Sequence, residues 1–210
     1  MSINLHLGDC LEAMRAMPDN AYELAIVDPP YGINFAKKHT GGNGWIARGG
    51  KDWDKEIPSE DYYNELYRVS VNQIIWGANY MTPYLKPSMG WIFWDKGQRN
   101  FSLADGELAY TSFNRALRVF EKSRGAAKAE DDKSGGKIHP TQKPVKLYEW
   151  LLDNYAKEGD RILDTHLGSG SIALACHNRG YSLDAYEIDE EYYNAAKERL
   201  RVHQSQLTIF

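Results

Sequence analysis

The segment Tyr22-Glu23-Leu24-Ala25-Ile26-Val27-Asp28-Pro29-Pro30-Tyr31 decides the architecture of this chain. Its first six residues are a short apolar run of strand type. Asp28-Pro29-Pro30 ends the run abruptly, because proline has no N–H for a sheet ladder and disfavours helix in the residue before it. An acidic residue is thereby set at a strand's carboxyl end. Upstream, Ile3, Leu5 and Leu7 alternate with polar residues, and Gly8-Asp9 introduces Leu11, Met14 and Met17 at helical spacing, as far as Pro18. Downstream, Ser59-Glu60-Asp61 opens a helix with Tyr62, Leu66 and Val69 inward, and 73–76 reads as the next strand. Two further strand patterns follow at 90–94 (GWIFW) and 107–113 (ELAYTSF). Pro144 starts a helix that closes near Gly159, 161–163 and 182–187 are strands, and Asp189 caps a last helix with Tyr192, Ala196 and Leu200 on one face. Repeated βα units predict an α/β fold with a doubly wound, mostly parallel sheet.

Bulk properties narrow the class. A chain of 210 residues suits one domain, 1–210. Its 42% hydrophobic and 26% charged residues include no apolar run near the roughly 20 that a membrane span needs. Met1 to Asp9 lacks the basic start and apolar stretch of a secretory signal, so a cytoplasmic location, in a bacterial or phage-infected cell, is expected. Cys10 and Cys176 stand far apart, which suggests neither a disulfide framework nor a metal site. The net charge of −4 argues against a protein that coats nucleic acid by bulk charge. Its distribution is uneven: from Arg115 to Lys146 nine Lys/Arg face four Asp/Glu. Residues 34–55 are rich in glycine and carry Lys37, Lys38 and Arg48 without a helical or strand period, which reads as a mobile loop. The stretch 114–138 is polar, basic and aperiodic, as an insert would be. Charge alone leaves a solvated surface and a nucleic-acid face equally open.

In open α/β sheets ligands bind outside the carboxyl ends of strands. Four corners qualify: Gly8-Asp9, Asp28 to Tyr31, Asp164 to Ser171, and Glu187. Asp164-Thr165-His166-Leu167-Gly168-Ser169-Gly170-Ser171 places two glycines between strand and helix, which lets a nucleoside approach the backbone. Glu187, about 20 residues on, suits a ribose diol. A G-x-G pattern is also any tight βα turn. The Asp28-Pro29-Pro30-Tyr31 corner is more specific: a carboxylate, the Pro29 carbonyl and the Tyr31 ring could receive an extruded base. Two fixed acceptors on an exocyclic amino group draw its nitrogen towards tetrahedral geometry and free its lone pair, while the aromatic ring supplies a stacking face.

Taken together, these motifs resemble the amino-methyltransferases of DNA, specifically the circularly permuted β group. They are DPPY at 28–31, His139-Pro140-Thr141-Gln142-Lys143-Pro144, and a loop similar to D-x-F-x-G-S-G at 164–170, in the family's order. The resemblance implies a seven-stranded sheet of the class I S-adenosylmethionine-dependent type and methyl transfer to adenine N6. Cytosine N4, an RNA amino group, or a non-catalytic protein with a retained cofactor pocket are the alternatives. It assigns Asp164, Gly168, Ser169 and Gly170 to the methionine part of S-adenosylmethionine, Glu187 to its ribose, Asp9 with its neighbour Cys10 to its adenine, and Thr141, Gln142 and Lys143 to its amino-acid end. His166 stands where the family usually has phenylalanine. Target recognition falls to a short insert at about 99–138, which implies a short site or a homodimer. In this light Lys37, Lys38, Arg48, Arg115, Arg118 and Arg124 are candidates for DNA contact. Gln206-Leu207-Thr208-Ile209-Phe210 resembles the peptide with which bacterial proteins dock into the replication sliding clamp, and equally a tail that folds back on the domain.

Overall fold

The computed structural model describes residues 1–33, 54–100, 104–133, 136, 138, 139 and 141–206. Strand β2 (Tyr22–Val27) sends Leu24 and Ile26 into one hydrophobic core and Ala25 and Val27 into another, so its apolar run is continuous because both faces are covered. On one face lie α1 (Cys10–Ala16) and α2 (Glu60–Val69), which bury Met14, Tyr62, Tyr63 and Leu66. On the other lie α4 (Val145–Tyr155), α5 (Ser171–Arg179) and α6 (Glu190–Gln206), with Leu147, Leu151, Leu174, Ala196 and Leu200 inward. The helix α3 (Arg124–Lys133) precedes α4 in the chain.

The remaining strands are β1 (Ile3–Leu7), β3 (Ser70–Trp76), β4 (Trp91–Asp95), β5 (Gly106–Thr111), β6 (Arg118–Glu121), β7 (Arg161–Asp164) and β8 (Ser182–Glu187). They form one sheet in the order β1-β8-β7-β2-β3-β5-β4-β6. Every neighbouring pair is parallel except the two that β5 makes, with β3 and β4. The carboxyl ends of seven strands therefore share one edge with the amino end of β5.

The sheet has eight strands where the resemblance implies seven. The additional one is β6, inside the stretch 114–138 that reads as an insert, and α3 follows within the same stretch. Three of the four residues of β6 are exposed, so this edge strand has no buried face to impress a period-2 pattern on its sequence.

Candidate active site

The register Leu24↔Ile162 and Ala25↔Leu163 between β2 and β7 carries both strands to their carboxyl ends side by side. Asp28 and Asp164 consequently lie near each other at one edge of the sheet, close enough that the Asp28 charge raises the proton affinity of Asp164. Asp28 Oδ1 accepts a hydrogen bond from the Tyr31 hydroxyl at 2.7 Å. Asp54, buried, accepts from the Tyr31 and Gly32 N–H groups at 2.9 and 3.0 Å and pins the turn. The Tyr31 ring stacks on Tyr80 with centroids 5.3 Å apart and rests against Gly77, whose φ of +68° turns the chain after β3. One face of the ring that the sequence reading offers to a flipped base is thus occupied by a neighbour.

Lys143, with 1% of its side chain exposed, enters this corner from the HPTQKP segment. Its Nζ lies 2.5 Å from Asp28 Oδ2 and 3.2 Å from Glu107 Oε2, and it donates to the Tyr31 hydroxyl at 3.1 Å. Glu107 sits at the amino end of β5, and its Oε1 is paired with Lys96, just beyond β4. Burial pushes the Asp28 carboxyl above its ordinary range, and Lys143 pulls it back. Burial works the same way on Glu107, but Lys143 and Lys96 outweigh it and hold that carboxyl at about 2.

In the second corner, Asp164 is buried and accepts a hydrogen bond from the His166 N–H at 3.0 Å. Burial, with Asp28 and Glu187 adding to it, pushes its carboxyl up to about 8. Glu187 accepts from the Gly168 N–H at 2.8 Å and the Asp189 N–H at 2.9 Å, which ties the glycine loop to the end of β8. Gly170 (φ +72°) lies against α6: a Cβ there would be 3.0 Å from that of Ala196. Behind the loop Arg199, itself buried, donates to the Ser169 carbonyl at 2.9 Å and to Ser171 Oγ at 3.0 Å. The His139 ring faces Gly168, so the HPTQKP segment lies across the loop.

A sequence profile described as DNA methylase, for enzymes acting at N6 and N4 positions, matches residues 73–198. The chain belongs to this family. It is similar to the methylase YubD of Escherichia coli (strain K12), 26% identical over 206 residues that cover 92% of this chain and 88% of that protein. Its fold is similar to that of M1.HpyAVI in a complex with SAM (TM-score 0.61, 18% identity, 94% and 98% of the two chains covered). It is also similar to that of the cytosine-N4-specific PvuII DNA methyltransferase (TM-score 0.64, 14% identity, 98% and 91% covered).

The family's methyl donor is S-adenosylmethionine, and the donor set of this methylase fits a cationic nucleoside. Asp164 is a buried carboxylate that accepts a single hydrogen bond among the described residues, and Glu187 closes the next strand. Asp9 caps α1, its Oδ1 accepting from the Leu11 N–H at 2.7 Å and the Glu12 N–H at 3.4 Å. Burial and the neighbouring Asp9 push the Cys10 thiol up to about 12, so it is a neutral packing group. Thr141 Oγ1 lies 3.1 Å from His139 Nδ1, and Gln142 accepts from the Ile138 N–H at 3.0 Å, so both side chains shape their own segment. Ser169 turns its hydroxyl to Ser171 at 3.1 Å. Burial pushes His166 down to about 4, a neutral imidazole that lies 2.9 Å from Thr165 Oγ1 and edge-on to Tyr62.

The arginine candidates divide. Arg118 begins β6, which runs parallel to β4, and so lies at the edge opposite Asp28. Arg115, just before it, donates to the Asn154 carbonyl near the end of α4 and covers the Tyr155 ring at 4.8 Å. Arg124, after the carboxyl end of β6, the outermost strand, lies at the same edge of the sheet as Asp28. Lys37, Lys38 and Arg48 fall outside the described residues, as does the clamp-like peptide beyond Gln206. Glu107, Lys96, Gly77 and Asp54 belong to the site and were absent from the sequence reading. The signal for Glu107 was the direction of β5, whose amino end reaches the site only because that strand is antiparallel.

Proposed function

We propose that this chain transfers the methyl group of S-adenosylmethionine to the N6 amino group of an adenine turned out of duplex DNA. The observation that supports the reading is the adjacency of Asp28 and Asp164 at the ends of paired parallel strands, the two carboxylates that this reading assigns to the base amino group and to the cofactor. When bound, S-adenosylmethionine supplies an electrophilic methyl on a sulfonium. Asp28 and the Pro29 carbonyl accept the two N–H bonds of the amino group, so its lone pair leaves the ring and faces that methyl. The carbon–sulfur bond breaks as the carbon–nitrogen bond forms, and the nitrogen loses its proton to the Asp28 carboxylate. Tyr31 keeps Asp28 oriented through its hydroxyl. The resemblance drawn above implies adenine N6 as the methylated position. The likeness to M1.HpyAVI in its SAM complex supports the cofactor, and the likeness to a cytosine-N4-specific enzyme makes cytosine the competing base.

The test is nucleoside mass spectrometry of genomic DNA from a methylase-deficient strain after incubation with the protein and isotope-labelled S-adenosylmethionine. Labelled N6-methyladenine is the expected product. N4-methylcytosine would reassign the base, and label in RNA alone would overturn DNA as the substrate. Asp28→Ala should abolish transfer and leave cofactor affinity within about threefold of the original, because Asp28 acts only on the base. Substantial residual turnover contradicts its role.

A further inference from the structure

We infer that Glu107 is a positioning residue for methyl transfer, taking up the Lys143 ammonium so that Asp28 is left open to the amino group of the target base. The inference rests on the role of Asp28 proposed above. Asp28 Oδ1 is engaged by the Tyr31 hydroxyl at 2.7 Å, and the Lys143 ammonium stands 2.5 Å from Oδ2. A base amino group that seeks this carboxylate therefore meets a cation already seated on the remaining oxygen. That cation is 1% exposed. A buried ammonium without a partner is strongly disfavoured, so Lys143 yields Asp28 only if another anion receives it. Glu107 Oε2, 3.2 Å from the same nitrogen, is that anion. Lys96 holds Oε1 of Glu107 and keeps the carboxylate in place. The four groups form a row of alternating charge, Asp28, Lys143, Glu107, Lys96, contributed by the end of β2, the HPTQKP segment, the amino end of β5 and the end of β4.

Other titratable groups around the row do not replace Glu107. Burial holds the phenols of Tyr31 and Tyr148 well above their ordinary range, so both stay neutral. Asp164, the neighbouring carboxylate on β7, is itself pushed up to about 8, chiefly by burial.

The experiment measures kcat against pH at saturating S-adenosylmethionine, with methylase-deficient genomic DNA as substrate, for the parent, Glu107→Gln and Lys96→Met. Cofactor affinity is measured alongside by calorimetry. In Glu107→Gln the ammonium has only Asp28 to pair with, and its plateau kcat should fall on the order of 100-fold with cofactor affinity unchanged. Its ascending limb should move to lower pH, because a negative charge that raises the Asp28 carboxyl has been removed. In Lys96→Met the uncompensated Glu107 draws Lys143 away from Asp28, and the limb should move to higher pH. Opposite displacements identify positioning through Lys143, since damage to the fold lowers the plateau without moving the limb both ways. Parental kcat and limb in Glu107→Gln overturn the inference, as does a loss of cofactor affinity that accounts for the fall in rate. Should Glu107→Gln fail to fold, an unmoved limb in Lys96→Met overturns it alone. A parent protein that methylates no DNA overturns the proposed function instead.

Discussion

Asp164 is the residue whose chemistry is most exposed to test. Buried beside Asp28 and Glu187, its carboxyl titrates at about 8, so the free protein carries it protonated at pH 6.5. A cationic ligand favours the ionised form, and binding must then expel the proton. The sign follows: a raised value in the free protein means that affinity climbs with pH up to about 8, by up to tenfold per unit, and levels off above it. Calorimetry of S-adenosylmethionine binding at pH 6.5 in two buffers of different ionisation enthalpy should show close to one proton released. Asp164→Asn should abolish the release, and identical heats for the parent in both buffers would refute the assignment. At this scale the sequence was informative about which carboxylates stand at strand ends, as Asp28, Asp164 and Glu187 do. It was silent where the partner decides the role. Lys143 reads as a contact for the cofactor's amino-acid end, yet its ammonium lies against Asp28 and Glu107, because only the folded chain brings positions 28, 107 and 143 together.

Among the elements, the turn after β3 constrains the site most tightly. Gly77 holds φ +68°, and a Cβ built on it would lie 2.1 Å from Tyr31 Cε1. Gly77→Ala therefore has two costs: about 1–2 kcal/mol for a left-handed backbone with a side chain, and displacement of the ring whose hydroxyl orients Asp28. The variant should lose on the order of 100-fold in kcat while S-adenosylmethionine affinity stays near the parent's. Steady-state kinetics with separate titration of the cofactor decides it, and a parental kcat would mean that Tyr31 tolerates the shift. Strand direction also explains which elements could be read in advance. The βα units around β1, β2, β7 and β8 carry full hydrophobic periods and strong stops, and their bounds in the structure lie close to the expected ones. β6 has no buried face, and the reversal of β5 leaves no mark in a strand pattern, so neither the eighth strand nor the arrival of Glu107 was legible. The same reversal restores β4 and β6 to the common direction and carries Arg118 to the edge away from the site.

For the whole molecule, the cleft is assembled from positions 9, 28, 107, 143, 164 and 187, which span most of the chain and meet only when the sheet is complete. Unfolding scatters them, so a ligand held by several of them at once binds the folded state alone and must stabilise it. At a concentration a hundred times its dissociation constant, S-adenosylmethionine should add about 2.7 kcal/mol. For a domain of this size that corresponds to a rise of roughly 5–10 °C in melting temperature. The rise should be larger at pH 8 than at pH 6.5 at one fixed ligand concentration, since the proton on Asp164 weakens binding at the lower pH. Asp164→Asn should flatten that difference. Asp28→Ala should keep the ligand-induced rise while abolishing transfer, which separates a cofactor half of the cleft from a base half. Differential scanning calorimetry on the three proteins, with and without ligand, reads the shifts in melting temperature, and a methyl-transfer assay reads the loss of activity. If Asp28→Ala loses the stabilisation as completely as Asp164→Asn loses its pH dependence, the two corners act as one binding site and the division of labour between β2 and β7 is wrong.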